Sequence, residues 1–340
     1  MAGRSFTSRT AVPADLWQQV LAEDGRPVGE PLALTQGLGI RSAAFSPDGQ
    51  RLAYSRGGWV ANVVRVPIFS DRPATWADAQ AVTAEHAYIE FLDVSPDGKL
   101  LAVSSDRRGN QDLWLLPPTG GEMTPLTTDA TPDWSPRWSP DGSEIAFYAY
   151  RSGNRDIWVM PSRGGPAQQI TSHPAQDMRP SWSPDGHEIA FSSQRTRNGR
   201  WIVSAKGGDA RFVTEAGGDT GDWSPDGQAL VIERQGSLYR VDKVSGEQML
   251  IARTGDQPYS LRFSPDGQSL YYNVITGPRD KHDFWKLSLA NGKVSRLTKL
   301  EGRRGNIGSA FATDGRYLYF SWREDDGDIW VMDVATDVGR

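Results

Sequence analysis

The tetrapeptide Ser-Pro-Asp-Gly begins at Ser46, Ser95, Ser139, Ser183, Ser224 and Ser264, and a shortened copy reads Thr313-Asp314-Gly315. The aspartates at 48, 97, 141, 185, 226, 266 and 314 are spaced by 49, 44, 44, 41, 40 and 48 residues. Pro presets φ for the second position of a type I turn, Asp tolerates the third, and Gly takes the left-handed residue that follows. Such a turn closes a short β-hairpin. A unit recurring every 40–45 residues cannot bury its apolar face alone and must stack against its neighbours.

Two further elements recur in phase. QDLWLL (111–116), RDIWVM (155–160), GRWIVS (199–204), GSLYRV (236–241), HDFWKL (282–287) and GDIWVM (327–332) follow the turns. Short segments ending in Thr come next: LALT (32–35), AVT (81–83), PLTT (125–128), QIT (169–171), FVT (212–214) and RLT (296–298). Each period thus supplies four strands, with no helical periodicity between them, and radial repetition of four-stranded antiparallel sheets makes a β-propeller. Seven hairpins predict an all-β, seven-bladed propeller over residues 15–340, preceded by a disordered extension, 1–14. DLWQQVL (15–21) and PLALT (31–35) read as third and fourth strands without a hairpin, and the chain ends on a third strand. The expectation is a ring closed by N- and C-terminal strands in one blade, with PLALT as its outer strand. Whether Trp17 or Trp330 then supplies the third strand stays open.

These motifs resemble the PD40, WD40-like repeats of the TolB-type propellers, over residues 15–334. The resemblance rests on W-S-P-D-G followed by an I-A-F strand, on G-N-x-D-I-W, and on the Leu-Thr segment. It implies a module that binds a ligand or a protein without chemistry. It also implies an extracytoplasmic setting if the chain is a segment of a longer protein. TolB proper resembles a six-bladed ring with an additional α/β domain, whereas seven turn copies occur here. Prolyl-oligopeptidase-like relatives carry a Gly-x-Ser-x-Gly elbow in a hydrolase domain; no such pentapeptide occurs, which argues against a serine peptidase.

Composition narrows the partners. The net charge of −5 argues against a nucleic-acid binder, which needs a basic surface. No apolar run reaches the ~20 residues of a membrane helix, and residues 1–17 contain no apolar leader core. With no Cys, thiolate chemistry is absent. The expectation is a monomer whose partner is a protein, a peptide or a small anionic or polar ligand.

Because repeated residues maintain the scaffold, function is sought in those that do not repeat. Nine of the thirteen Trp occupy repeat-equivalent positions and read as packing residues. Arg107/Asp112, Arg151/Asp156 and Arg323/Asp328 recur at one spacing and read as ion pairs that pin a hairpin. The fourth period has Arg195, Arg197 and Arg200 in place of that pattern, leaving positive charge. By fold analogy the loops opposite the turns gather at the channel mouth. The ligand-binding candidates are therefore Arg179, Arg195, Arg197, Arg200, Arg303, Arg304, Asp219 and Asp222. His86, Glu90, His173, Asp177 and His282 form the alternative, a divalent metal site (Zn, Mn or Ca) whose bound water would attack an ester, lactone or phosphotriester. Neither reading assigns a catalytic side chain.

Overall fold

A computed structural model describes residues 4–9, 15–33, 35, 40–56, 58–215, 221–254, 258–274, 283–325 and 327–333. The chain divides into two compact units, Val60–Glu324 and a second made of Met1–Trp59 with Asp325–Arg340.

The larger unit contains six four-stranded antiparallel sheets. Sheets I to V begin with the strands Ile89–Val94, Asp133–Trp138, Asp177–Trp182, Gly221–Trp223 and Pro258–Phe263, and each takes its four strands consecutively from the chain. Sheet VI is different. Asn306–Thr313 and Tyr317–Asp325 pair with Trp59–Pro67 and Gln80–Ala81, from the other end of the sequence. Each first strand contacts the next, and that of sheet VI contacts that of sheet I, so the six sheets form a closed circuit. Side-chain hydrogen bonds cross these junctions. Asp93 accepts from the Trp138 amide at 3.0 Å, Trp182 and Trp223 Nε1 donate to the Arg137 and Ser181 carbonyls at 3.0 Å each, and Ser260 Oγ donates to the Ser309 carbonyl at 3.0 Å. Ser321 Oγ closes the circuit on the Ile89 carbonyl at 2.5 Å.

The tetrapeptide does what its chemistry dictates. In each full copy the Gly amide bonds the Ser carbonyl, as in Gly98 to Ser95 at 2.8 Å, with Gly φ between +65° and +73°. The Ser hydroxyl donates to the Asp carboxylate, which also accepts the amide two residues on, as in Ser139–Asp141–Ser143 at 2.6 and 3.0 Å. These hydrogen bonds hold the Asp97 and Asp141 carboxyls down at about 2.

The threonine signature has an equally local cause. Thr35, Thr83, Thr127, Thr171 and Thr298 each accept, at 2.9–3.0 Å, the amide of a strand residue: Leu16, Val63, Leu113, Ile157 and Phe284. Thr171 and Thr298 also donate their hydroxyls to Asp156 and Asp283 at 3.2 and 2.9 Å. A short outer strand is thereby locked by one side chain.

The smaller unit holds two three-stranded sheets. One is Arg4–Arg9, Asp15–Leu21 and Pro27–Ala33; the other runs Asp328–Asp333, Arg51–Arg56, Ile40–Phe45. Leu16, Ile40, Leu52 and Tyr54 form its core. Three expectations change here. Arg4–Arg9 is a strand paired with Asp15–Leu21 rather than part of a disordered extension. The PLALT segment enters the strand Pro27–Ala33, where Ala33 faces Trp17, and is not the outer strand of a closing blade. Finally, the first and last repeats exchange third strands: Trp59–Pro67 joins the last hairpin and Asp328–Asp333 the first. Six sheets, not seven, thus have four strands among the described residues. Trp76, in the long connection before Gln80, packs edge-on against Trp322 of sheet VI at 4.6 Å.

Asp112, at the start of a third strand, is 3% exposed and has one carboxylate oxygen without a hydrogen-bond partner. Burial, reinforced by nearby Asp133, pushes its carboxyl up to about 6. The folded state therefore holds an extra proton between about pH 4 and 6, and stability falls as pH rises through that window. Asp112→Asn should stabilise the protein above pH 6 by roughly 1–3 kcal/mol and flatten the pH dependence below it. Urea melts at pH 5 and 7.5 check this; an equal change at both would refute it.

Candidate functional site

The strands of sheets I, II, III and VI bring an aromatic and basic cluster together at the end opposite the tetrapeptide turns. Its centre is Glu90, on the first strand of sheet I and half-buried. Burial raises the Glu90 carboxyl, against the opposing pull of Arg179, Arg323 and Arg155. Arg155 leads the third strand of sheet II and lies 5.1 Å from the Tyr150 ring centroid and 5.8 Å from those of Trp134 and Tyr148. Trp134 and Tyr148 stack at 5.5 Å, and Tyr150 meets Trp134 edge-on at 5.8 Å. Arg323, from sheet VI, donates to the Tyr88 hydroxyl and to Asn306, both at 2.9 Å.

Arg179 is placed by an irregular backbone. Its φ of +55° is left-handed, and the pairing of its strand shifts register between Met178 and Ser181. Ser135, at the equivalent point of sheet II, has φ +56° and the same shift. Both precede a proline, and a bulge re-aims the side chain it carries. Arg179 consequently sits 5.8 Å from the Phe91 ring centroid and within the electrostatic reach of Glu90.

Of the residues singled out from the sequence, the structure brings Glu90 and Arg179 together. Asp177 is fully buried and bound by Arg195 at 2.9 Å and by Ser193 Oγ at 2.5 Å. Arg200 is 1% exposed and donates to Ser192 Oγ at 2.9 Å. Arg197 lies over the Phe212 ring at 3.7 Å, beside an open groove of about 380 Å³ between sheets III and IV. Arg303 pairs with Glu324 at 2.8 Å, and Arg304 is exposed. Asp222 faces Arg137 at 4.0 Å. Asp219 and His282 lie outside the described residues. His86 and His173 are exposed, and His173 Nδ1 accepts the Ala175 amide at 3.0 Å.

Among the described residues, which exclude His282, no three His, Asp or Glu side chains are placed to hold an ion. The hairpin ion pairs also differ from expectation. Arg151 binds Asp133 through two contacts of 3.2 and 2.8 Å, eighteen residues upstream, as Arg195 binds Asp177. Arg107 binds Glu85 at 2.8 Å and Arg323 binds Asn306. In an antiparallel hairpin the end of the second strand faces the start of the first, so the upstream aspartate is the nearer.

Arg155, Arg323, Tyr148 and Trp134 are members of the cluster that were not among the ligand-binding candidates read from the sequence. One signal was available for Arg155: it stands where the matching positions hold Gln111 and Asn198.

Comparisons with known proteins agree with this architecture. The profile of the Tricorn protease N-terminal beta propeller domain matches residues 110–240. A curated relative, an uncharacterized protein of Agrobacterium fabrum, is 32% identical over 133 residues, 37% of this chain and 43% of the relative. The chain therefore matches less than half of that relative's length. The structure of a putative TolB from Agrobacterium tumefaciens superimposes with a TM-score of 0.64 at 22% identity, covering 79% of this chain and 99% of that one. TolB from Acinetobacter baumannii gives 0.52 at 18% identity, covering 96% and 80%. An oligogalacturonate lyase in complex with manganese gives 0.51 at 14%, covering 95% and 98%. At these identities the likeness is one of fold. The profile of the PD40, TolB beta propeller domain matches residues 33–171, and over that span the repeats are similar to those of the TolB-type propellers.

Proposed function

We propose that the chain is a non-catalytic binding module whose end opposite the turns takes a carboxylate-bearing segment of a peptide or protein. The observation that carries this reading is the composition of the cluster: three guanidinium groups act on one half-buried carboxylate, Glu90, within walls of Trp134, Tyr148, Tyr150 and Phe91. A guanidinium fork suits a carboxylate, and aromatic faces suit both the arginine planes and an apolar side chain of the ligand. Glu90 acts as an internal stand-in that an incoming carboxylate displaces.

A fluorescent glutamate-rich peptide is the probe. Arg155→Ala should weaken its binding at least tenfold, because a charge-assisted contact contributes about 1.5–3 kcal/mol. Glu90→Gln should tighten it by about fivefold, since a competing and repelling carboxylate is removed. Equal binding of a glutamine-rich peptide, or indifference to both substitutions, would sink the reading.

A further inference from the structure

The strand Asp328–Asp333 reproduces the third strands of the other sheets without the outer strand they carry. Asp328-Ile329-Trp330-Val331 matches Asp156-Ile157-Trp158-Val159, and Asp283-Phe284-Trp285 matches the same start. In sheet II, Trp158 faces Gln169, the Ile170 amide donates to the Ile157 carbonyl at 2.8 Å, and Thr171 clasps the Ile157 amide. Sheet V repeats this with Arg296, Leu297 and Thr298. In the sheet of Asp328–Asp333, that strand is the outermost among the described residues. Ile329, Trp330 and Val331 are 79%, 49% and 65% exposed. An apolar edge strand of this length is a template for strand addition.

We infer that this edge is a docking slot for an extended segment of another polypeptide, in which an apolar residue is followed by Thr and flanked by Lys or Arg. The apolar residue's amide would meet the Ile329 carbonyl. The Thr hydroxyl would accept the Ile329 amide and donate to Asp328, as Thr171 and Thr298 do in their own sheets. The basic flanks follow from charge. Asp325, Asp328 and Asp333 are exposed along the strand and just before it. A second copy of this strand carries Asp328 and Asp333 and no Lys or Arg, so it would bring like charge to this edge and no basic flank. The chain's own segments ending in Thr35, Thr83, Thr127, Thr171 and Thr298 are already seated on third strands. The slot is independent of the Glu90 cluster.

The test uses the full chain and a labelled peptide copying residues 293–300, Lys-Val-Ser-Arg-Leu-Thr-Lys-Leu. Saturable binding is expected, weakened at least tenfold when the peptide's Thr is replaced by Val, which removes both hydrogen bonds of the hydroxyl. Val331→Pro should abolish it. That position's amide points out of the sheet edge, where proline is tolerated, so the fold is kept. Circular dichroism confirms the fold, and the peptide's own Thr-to-Val change reports without altering the protein. Absence of binding up to about 1 mM peptide overturns the inference, as does binding insensitive to both changes. Self-association of the chain that Val331→Pro removes would place a second copy in the slot and overturn the assignment to a different polypeptide.

Discussion

Arg137→Leu should destabilise the protein by about 3–5 kcal/mol at pH 7.5, and most of that loss should be recovered near pH 5. Arg137 stands on the first strand of sheet II, two residues before its turn serine, and Asp93 and Asp222 occupy the matching positions of sheets I and IV. Its Nε lies 3.6 Å from Asp93, and its terminal nitrogen lies 4.0 Å from Asp222. One cation thus joins a neighbouring sheet to one beyond the next. Burial raises both carboxyls, and Arg137 opposes that rise. Each carboxylate also accepts an amide of the next sheet, Trp138 at 3.0 Å and Phe263 at 3.2 Å.

Without the guanidinium, two buried negative charges face each other, and both take up protons more readily than in the unfolded chain. A carboxyl raised in the folded state contributes stability that is lost as pH climbs through its folded value. The variant should therefore lose stability more steeply than the wild type as pH rises. Urea melts of both proteins from pH 4.5 to 8 measure this. A pH-independent difference would mean that Arg137 acts through packing alone. Asp93→Asn added to Arg137→Leu should restore part of the loss at pH 7.5.

The sheets were legible where the determinants are local. Turn closure by Ser46, Ser95 and their equivalents, and the clasp by Thr127, Thr171 or Thr298, each involve residues close in the chain or opposite in one hairpin. Strand exchange was not legible. Trp59–Pro67 lacks the Asp-Ile-Trp start of other third strands but supplies Val63, Val64 and Val66, which are buried in sheet VI. Its choice of the hairpin 306–325 over the hairpin 40–56 depends on burial against sheets I and V, a long-range quantity that no local pattern encodes. The binding cluster was half legible for a related reason. Glu90 stood out as an acid where Trp134 and Met178 hold the equivalent place. Arg155 and Arg323 share their surroundings with repeated scaffold residues, and Arg179 is re-aimed by a bulge that composition does not reveal.

Asp177 shows how a sequence candidate for metal ligation becomes a structural group, and replacing it has the second large effect expected. Its side chain has no exposure and accepts from Ser193 Oγ and from Arg195, whose side chain is 11% exposed and packs over Phe191 and Trp201. Asp177→Ala leaves that guanidinium buried without its carboxylate, which should cost about 3–5 kcal/mol. Asp177→Asn keeps an acceptor for Ser193 and should cost about half as much. Replacing the pair together, Asp177→Leu with Arg195→Leu, removes both charges and should lie within about 1 kcal/mol of the wild type. A metal ligand would behave differently: the wild type would lose stability in chelator, and the double replacement would remain as weak as Asp177→Ala. Thermal melts of the three variants with and without EDTA separate the two outcomes. The same reasoning applies to Asp133 and Arg151 in sheet II, where Asp129 adds a second carboxylate at 2.6 Å. Asp133→Ala should therefore be milder than Asp177→Ala, because Asp129 continues to compensate Arg151.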